Sequence, residues 1–146
     1  MSAYENLQRL GITLPTPTPP AAKFVPWVLT GNLLFVSGHI ARSRSGQLGR
    51  DVSVAEGQEA ARGVAIDLLG TLHVATGDLD RIQRIVKLLV LVNSAPDFTE
   101  PHLVANGASE LFIDVLGERG KHARSACGAA QLPFGTCVEI ELIAEL

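Results

Sequence analysis

HARSACGAAQLPFGTCVEIELIAEL, residues His122 to Leu146, carries the fold assignment. From Val138 the pattern is strict alternation, with Val138, Ile140, Leu142, Ala144 and Leu146 on one side and Glu139, Glu141, Ile143 and Glu145 on the other. That is the signature of a half-buried strand. Arg124 to Gln131 is a second short run, and Leu132-Pro133-Phe134-Gly135 between the two holds strong turn residues, so the simplest arrangement is an antiparallel hairpin. With residue 131 facing residue 136, Arg124 falls opposite Ile143, on the face that carries Glu139 and Glu141. Ala126, Gly128 and Ala130 then line the same face, while Ser125, Cys127 and Ala129 turn toward the core. A trough of small residues with a guanidinium at one end suits a small carboxylate-bearing guest, because the planar fork of arginine matches a carboxylate.

Upstream, Phe24 to Thr30 and Leu33 to Ser37 flank Gly31-Asn32, a pair that tolerates positive φ and so favours a tight hairpin turn. Val54 to about Val74 has apolar residues at helical spacing, with Gly77 as its stop; Pro101 opens a second helix that ends at Gly117. Arg84 to Asn93 is apolar almost throughout and reads as a central strand covered on both faces. Gly49 to Val52 adds a further short strand. The sum is an α+β fold, a mostly antiparallel six-stranded sheet with two helices on one face. Ser2 caps a short N-terminal helix, and Ile12 to Ala22, with Pro15, Pro17, Pro19 and Pro20, runs extended over the surface.

At 146 residues, 47% hydrophobic and 18% charged, the chain is expected to form a single domain over residues 1–146, with 1–23 as an extension. A net charge of -3 without a basic stripe counts against nucleic acid as a partner. No apolar run is long enough to span a membrane and no secretory leader is recognisable, so the expected location is cytoplasmic. Cys127 and Cys137 form no CxxC or disulfide framework and are expected reduced. The four histidines, His39, His73, His102 and His122, lack metal-ligand spacing, so no metal is expected.

Arg124-Ser125, Leu132-Pro133 eight residues after the arginine, and the Val138-Glu139-Ile140-Glu141 run resemble the C-terminal signature of the reactive-intermediate deaminase (RidA/YjgF) family, also called endoribonuclease L-PSP. GNLLFVSGHI, Gly31 to Ile40, is similar to the family's N-terminal signature, in which Gln usually stands where His39 is. The resemblance implies a chorismate-mutase-like fold, a homotrimer with clefts between subunits, and no cofactor. It also implies roles: Arg124 binds the substrate carboxylate and Glu139 assists water. Ser37 and Gly38 form the backbone wall of the pocket, with His39 as a cleft residue, and Asn106 fits the second-helix pattern.

The chain departs from that pattern. Phe24 stands where a phenol usually contacts substrate, Ala126 takes the place of the family cysteine with Cys127 following it, and Ser109 replaces a helix tyrosine. The expected activity is therefore hydrolysis of reactive 2-imino acids to 2-keto acids and ammonia, by a divergent subgroup. The alternatives are a non-catalytic trimer that binds small metabolites and, less favoured by the acidic composition, an endoribonuclease.

Overall fold

The computed structural model describes residues 1–146. Helix α1 (Ala3–Arg9) is followed by strands β1 (Trp27–Thr30) and β2 (Leu33–Ile40), helix α2 (Val54–Thr76), strand β3 (Arg84–Asn93), helix α3 (Pro101–Leu116), and strands β4 (Ala123–Ala129) and β5 (Val138–Glu145). The helix ends follow their capping residues. Ser2 and Ser53 accept the N–H of Glu5 and Glu56, whose carboxylates bond back to the cap backbone. Gly77, at φ 75°, closes α2 in the left-handed conformation that a terminating residue needs.

The sheet has five strands in the order β1-β2-β5-β3-β4. The expected β4–β5 hairpin does not form. Strand β5 is inserted antiparallel between β2 and β3, and β4 pairs parallel to β3 at the far edge. The physical reason lies in the β3–α3–β4 order: strand, helix, strand is a crossover unit, and the crossover helix delivers the second strand parallel to the first. The run at Gly49–Val52 contributes only an isolated bridge from Leu48 to Val52, which accounts for the missing sixth strand.

Helices α2 and α3 pack on one face of this sheet. Ile85, Leu88, Val90 and Val92 of β3 are buried against them, as are Val138, Ile140, Leu142 and Ala144 of β5. The two helices approach closely where Gly107 meets the backbone of Gln58, a contact that any Cβ would block. Lys87, Leu89 and Leu91 lie on the other, open face and stay partly exposed, so β3 is covered on one side only. Val28 and Phe35, paired across β1 and β2, extend that open face with exposed apolar groups. The third helix, α1, docks through Asn6, whose amide donates to the Val115 carbonyl, and through the N–H of Ala3, which donates to Asp80.

Candidate functional site

The predicted site residues fall into two groups, one around β2 and β5 and the other around β4 and α3. The first surrounds an irregularity in β2. Val36 pairs with Leu142 but His39 pairs with Ile140, so β2 advances three residues while β5 advances two. The extra residue makes a bulge at Ser37-Gly38, a feature that re-aims side chains. Ser37 is tied down by its N–H to Pro26 O (3.0 Å) and its hydroxyl to Val25 O (2.6 Å).

Beyond the bulge, His39 turns toward α2. Its Nδ1 lies 2.8 Å from Ser37 O and its Nε2 2.7 Å from Thr71 Oγ1. A carbonyl oxygen only accepts, so Nδ1 carries the hydrogen and Nε2 accepts from the Thr71 hydroxyl. Burial pushes the His39 pKa down.

Glu139 lies over the bulge. Its carboxylate rests on Gly38 so closely that a Cβ there would sit 2.6 Å from Oε2. No protein group donates to it. Burial, and then the neighbouring Glu141, raise its pKa above the ordinary carboxylate value.

Together Ser37, Gly38, His39 and Glu139 floor a cleft of about 610 Å³, with Phe24 and Phe134 among its lining residues. The cleft's wall is Pro15 to Ala22, the segment read from sequence as merely extended. Four prolines stiffen this arm. It is held against α2 at Gly70, where Pro15 O occupies the space of a missing Cβ, and by a bond from Arg42 Nη2 to Thr18 Oγ1 (3.1 Å). Phe134 is 80% exposed and, at φ 58°, takes a left-handed conformation that is strained for a bulky residue.

The second group centres on Arg124. Through the β3 register Arg124 is level with Leu88 and Leu142, both on the helix-covered face, whereas Glu139 is level with Leu91 and Cys127 on the open one. The expectation that Arg124 and Glu139 share a face is therefore wrong. So is the inward orientation of Cys127, which is exposed. Both errors follow from the hairpin register, since inserting β3 between the two strands resets which residues face which side.

Arg124 instead reaches α3. Its Nη1 donates to Asn106 Oδ1 and Ser109 Oγ (3.0 Å each) and its Nη2 to His102 O (3.0 Å). His122 orders the hydroxyl between them. Nδ1–H donates to Gly120 O (2.7 Å), so Nε2 accepts the Ser109 hydroxyl proton (2.8 Å) and Ser109 presents a lone pair to Arg124. Burial lowers the His122 pKa, and the Arg124 charge lowers it further. Three bonds use part of a guanidinium that carries five N–H donors, so Nε–H keeps a free direction for a ligand.

Asn106 stands beside Arg124, with Ala126 next to them on the same face, partly buried against the core. The sequence reading missed the Ser109–His122 pair as a support for Arg124, although His122 stands two residues before it. It also missed Thr71, Asp67 and Arg42 in the cleft; only the proline count upstream hinted that a wall existed. A second hollow of about 630 Å³ lies between α1, the start of the arm and α2. Its two ring side chains pair with each other, since the Tyr4 hydroxyl accepts from Leu79 N–H (2.7 Å) and bonds His73 (2.9 Å). No group of metal-ligating side chains converges anywhere in the structure, and no helix is long and apolar enough to cross a membrane.

The family model for endoribonuclease L-PSP matches residues 16–146. The chain belongs to that family, which includes the RidA/YjgF proteins. It is 50% identical to protein TCP17 of Trypanosoma cruzi over 147 residues, 97% of this chain and 92% of that one. The crystal structure of Atu1372 from Agrobacterium tumefaciens, described as of unknown function, superposes with a TM-score of 0.92 at 45% identity, covering 99% of this chain and 92% of that one. RidA from the Antarctic bacterium Psychrobacter is similar at 27% identity with a TM-score of 0.61, covering 92% and 96%. The fold is therefore the YjgF-like α+β fold, with five strands and three helices. Within the family, the arm-bearing architecture follows Atu1372 over its whole length more closely than it follows that RidA.

Proposed function

We propose that the chain is an imine/enamine deaminase that hydrolyses reactive 2-imino acids to 2-keto acids and ammonia. The observation that carries this reading is Glu139: an unpaired carboxylate of raised pKa, lying on the wall of a cleft large enough for a substrate. Such a group holds and releases a proton nearer neutral pH than an ordinary glutamate does. Water bonded to Glu139 adds to the imine carbon as the C=N π electrons go to nitrogen. Glu139 passes the proton it takes from the water to that nitrogen, giving a tetrahedral amino alcohol; the hydroxyl proton of the adduct then follows to the amine as the C–N bond breaks and the C=O forms, so both water protons leave in ammonia. Water enters, ammonia leaves, and no redox cofactor is required.

Arg124 holds the substrate carboxylate through the N–H groups left free by Asn106, Ser109 and His102. Because Arg124 and Glu139 lie on opposite faces of one sheet, the pair that meets one substrate comes from two copies. Val28, Phe35, Leu89, Leu91 and Ile143 give the open face the apolar character that a partner subunit would cover, in support of a homotrimer with inter-subunit clefts. The chain acts as one domain in the cytosol, Pro15 to Ala22 of its 1–23 extension serving as the cleft wall. Phe24, which lacks the family phenol, and Ala126, in the place of the family cysteine, favour the rival reading of a trimer that binds metabolites without turning them over. The acidic cleft gives a phosphodiester no cationic cradle, so RNA cleavage ranks last.

The test is 2-keto acid formation from freshly generated 2-imino acids, with oligomeric state followed by sedimentation. Wild type should accelerate it, and Arg124→Ala and Glu139→Gln should each abolish the acceleration while keeping the same oligomer. Refolding the two inactive variants together in equal amounts should restore about a quarter of the activity, the fraction of interfaces that draw both intact groups from the right copies. An intact trimer with no acceleration on any imine would leave the binding role as the better account.

A further inference from the structure

The cleft continues past the groups that the proposed hydrolysis uses. Asp67 and Thr71 sit one turn apart on α2, and Arg42 follows β2; all three line the end of the cleft nearest α2. The Asp67 carboxylate is 23% exposed, yet nothing in the chain hydrogen-bonds it. Arg42 Nε stands 3.9 Å away, beyond hydrogen-bond length, and Arg42 Nη2 is engaged by Thr18 of the arm. Burial raises the Asp67 pKa, against the pull of Arg42 and His39. A half-buried carboxylate without a donor is costly, and a ligand that supplies the donor relieves the cost.

Charge points the same way. Asp67, Glu139 and Glu141 place three carboxylates in the lining against the one guanidinium of Arg42, while the arm contributes only prolines, threonines and alanines. Once Arg124 of a neighbouring copy has taken the substrate carboxylate, this excess of negative charge still faces the rest of the ligand. Length agrees as well. Glu139 covers Gly38, the next residue His39 reaches Thr71, and Asp67 lies one helical turn further, about 6 Å along α2. An alanine-sized imine leaves that end of the cleft empty.

We infer that this end of the cleft reads the far end of the substrate's side chain, and that the substrate class is a 2-imino acid with a long, cationic side chain seated on Asp67. The reaction part of this statement rests on the deaminase reading; the ligand part rests on the cleft. Arginine and citrulline side chains separate charge from shape, since the two are nearly isosteric and only the first is a cation. A substrate with a second carboxylate on Arg42 is the opposite assignment.

The experiment uses the full chain in two arms. In the first, 2-imino acids are generated in place by an amino-acid oxidase from arginine, citrulline, norleucine and glutamate, and kcat/KM for 2-keto acid formation is compared. The arginine-derived imine should exceed the citrulline- and norleucine-derived ones by tenfold or more, and Asp67→Asn should bring the arginine-to-citrulline ratio close to one. In the second arm, calorimetry measures binding of the amino acids arginine and citrulline themselves, which requires no turnover. Wild type should bind arginine at least tenfold more tightly, and Asp67→Asn should not discriminate. A thermal melt confirms that the variant is folded, and the wild-type ligand series stands without it.

Turnover of norleucine- and citrulline-derived imines as fast as the arginine-derived one would overturn the inference and leave the deaminase intact, as would a preference for the glutamate-derived imine. No turnover of any imine, with arginine still bound in preference to citrulline, would remove the deaminase and leave the ligand assignment standing. Equal or absent binding in the second arm overturns the assignment whatever the first arm gives.

Discussion

Gly38→Ala separates the position of Glu139 from its chemistry. The added methyl would lie 2.6 Å from Glu139 Oε2, 3.1 Å from Cδ and 3.3 Å from Cγ. To restore van der Waals distance the carboxylate must retreat by roughly 1 Å. Retreat is easy, because the side chain is only partly buried and no hydrogen bond anchors it. Gly38 has no left-handed φ, so alanine fits the backbone, and the loss of unfolded-state entropy contributes about 0.4–1 kcal/mol in its favour. The net change in stability should stay within about 1 kcal/mol, a shift of only a few degrees in melting temperature. Activity should respond far more. A displacement of about 1 Å in a catalytic group costs on the order of a hundredfold, or about 2.7 kcal/mol in the barrier. The assays are kcat/KM for 2-keto acid formation and a thermal melt, with the Glu139 titration read by NMR. The last is independent of turnover: a carboxylate pushed out toward solvent should lose part of its desolvation, and its pKa should fall toward the ordinary value. Wild-type kcat/KM in a variant whose melt and oligomer are unchanged would refute the argument that the bulge exists to place Glu139. A fall of ten degrees in the melt would refute the claim that the carboxylate can yield.

Arg124→Lys should lower kcat/KM by a hundredfold or more, mostly through KM, because an ammonium cannot bond Asn106, Ser109 and His102 O and still offer a planar fork. The melt should move little; retention of KM would argue against a carboxylate clamp. Gly107→Ala should destabilise by about 3 kcal/mol or more, since its methyl would meet rigid backbone at Gln58 and force α2 and α3 apart; a melt within a degree of wild type would contradict the close crossing. His39 and His122 have folded-state pKa values below the ordinary 6.5, so between the folded and unfolded values the unfolded chain binds more protons and stability rises with pH. Their contribution is complete above about pH 6.5 and lost as pH falls through the folded values; melts over pH 5–8 should show that slope, and His122→Ala should flatten part of it. Glu139 and Asp67 act with the opposite sign, their raised pKa values making stability decline as pH climbs from the ordinary carboxylate values through the folded ones.

Helices were legible because their signals are local. Ser2 as a cap, Pro101 in a first turn, and Gly77 and Gly117 as stops all act within one turn of the chain, and each element lies where those residues put it. Strand order was not legible in the same way. Leu132-Pro133-Phe134-Gly135 does form a turn, but the turn does not decide which strands it joins side by side. The placement of β4 depends on α3 lying between it and β3, and on β5 finding two partners for a strand whose alternate residues are all buried. One wrong neighbour then carried Arg124 to the wrong face and Cys127 into the core. The bulge at Ser37-Gly38 and the contact of Arg124 with Asn106 do not depend on that neighbour, because they are built within β2 and between β4 and α3. The cleft's wall was invisible for another reason: nothing in a run of prolines says what it leans on, and the contact that fixes it is made by a glycine, Gly70, on a helix far along the chain.

The two groups of site residues divide the proposed chemistry in a definite way. Glu139, the bulge that aims it, the proline arm and Asp67 all belong to one cleft of one chain, whereas Arg124 stands across the sheet with its own supports, Asn106, Ser109 and His122. Under the proposed function, side-chain selection and water activation would travel together, and the carboxylate clamp would come from another copy. On that proposal the clamp would read only what all 2-imino acids share, and the arm-walled cleft would meet what differs between them. Changes in the arm or at Asp67 would then redirect specificity without disturbing Arg124, with no compensating change at the clamp. The residues in which this chain departs from the family pattern show the same division. Phe24 and His39 line the cleft that would meet the variable part of a substrate, whereas Arg124 and Asn106 keep the family identities and bond each other. Ser109, the exception, replaces a family tyrosine but joins the support of Arg124 through His122 rather than facing the cleft.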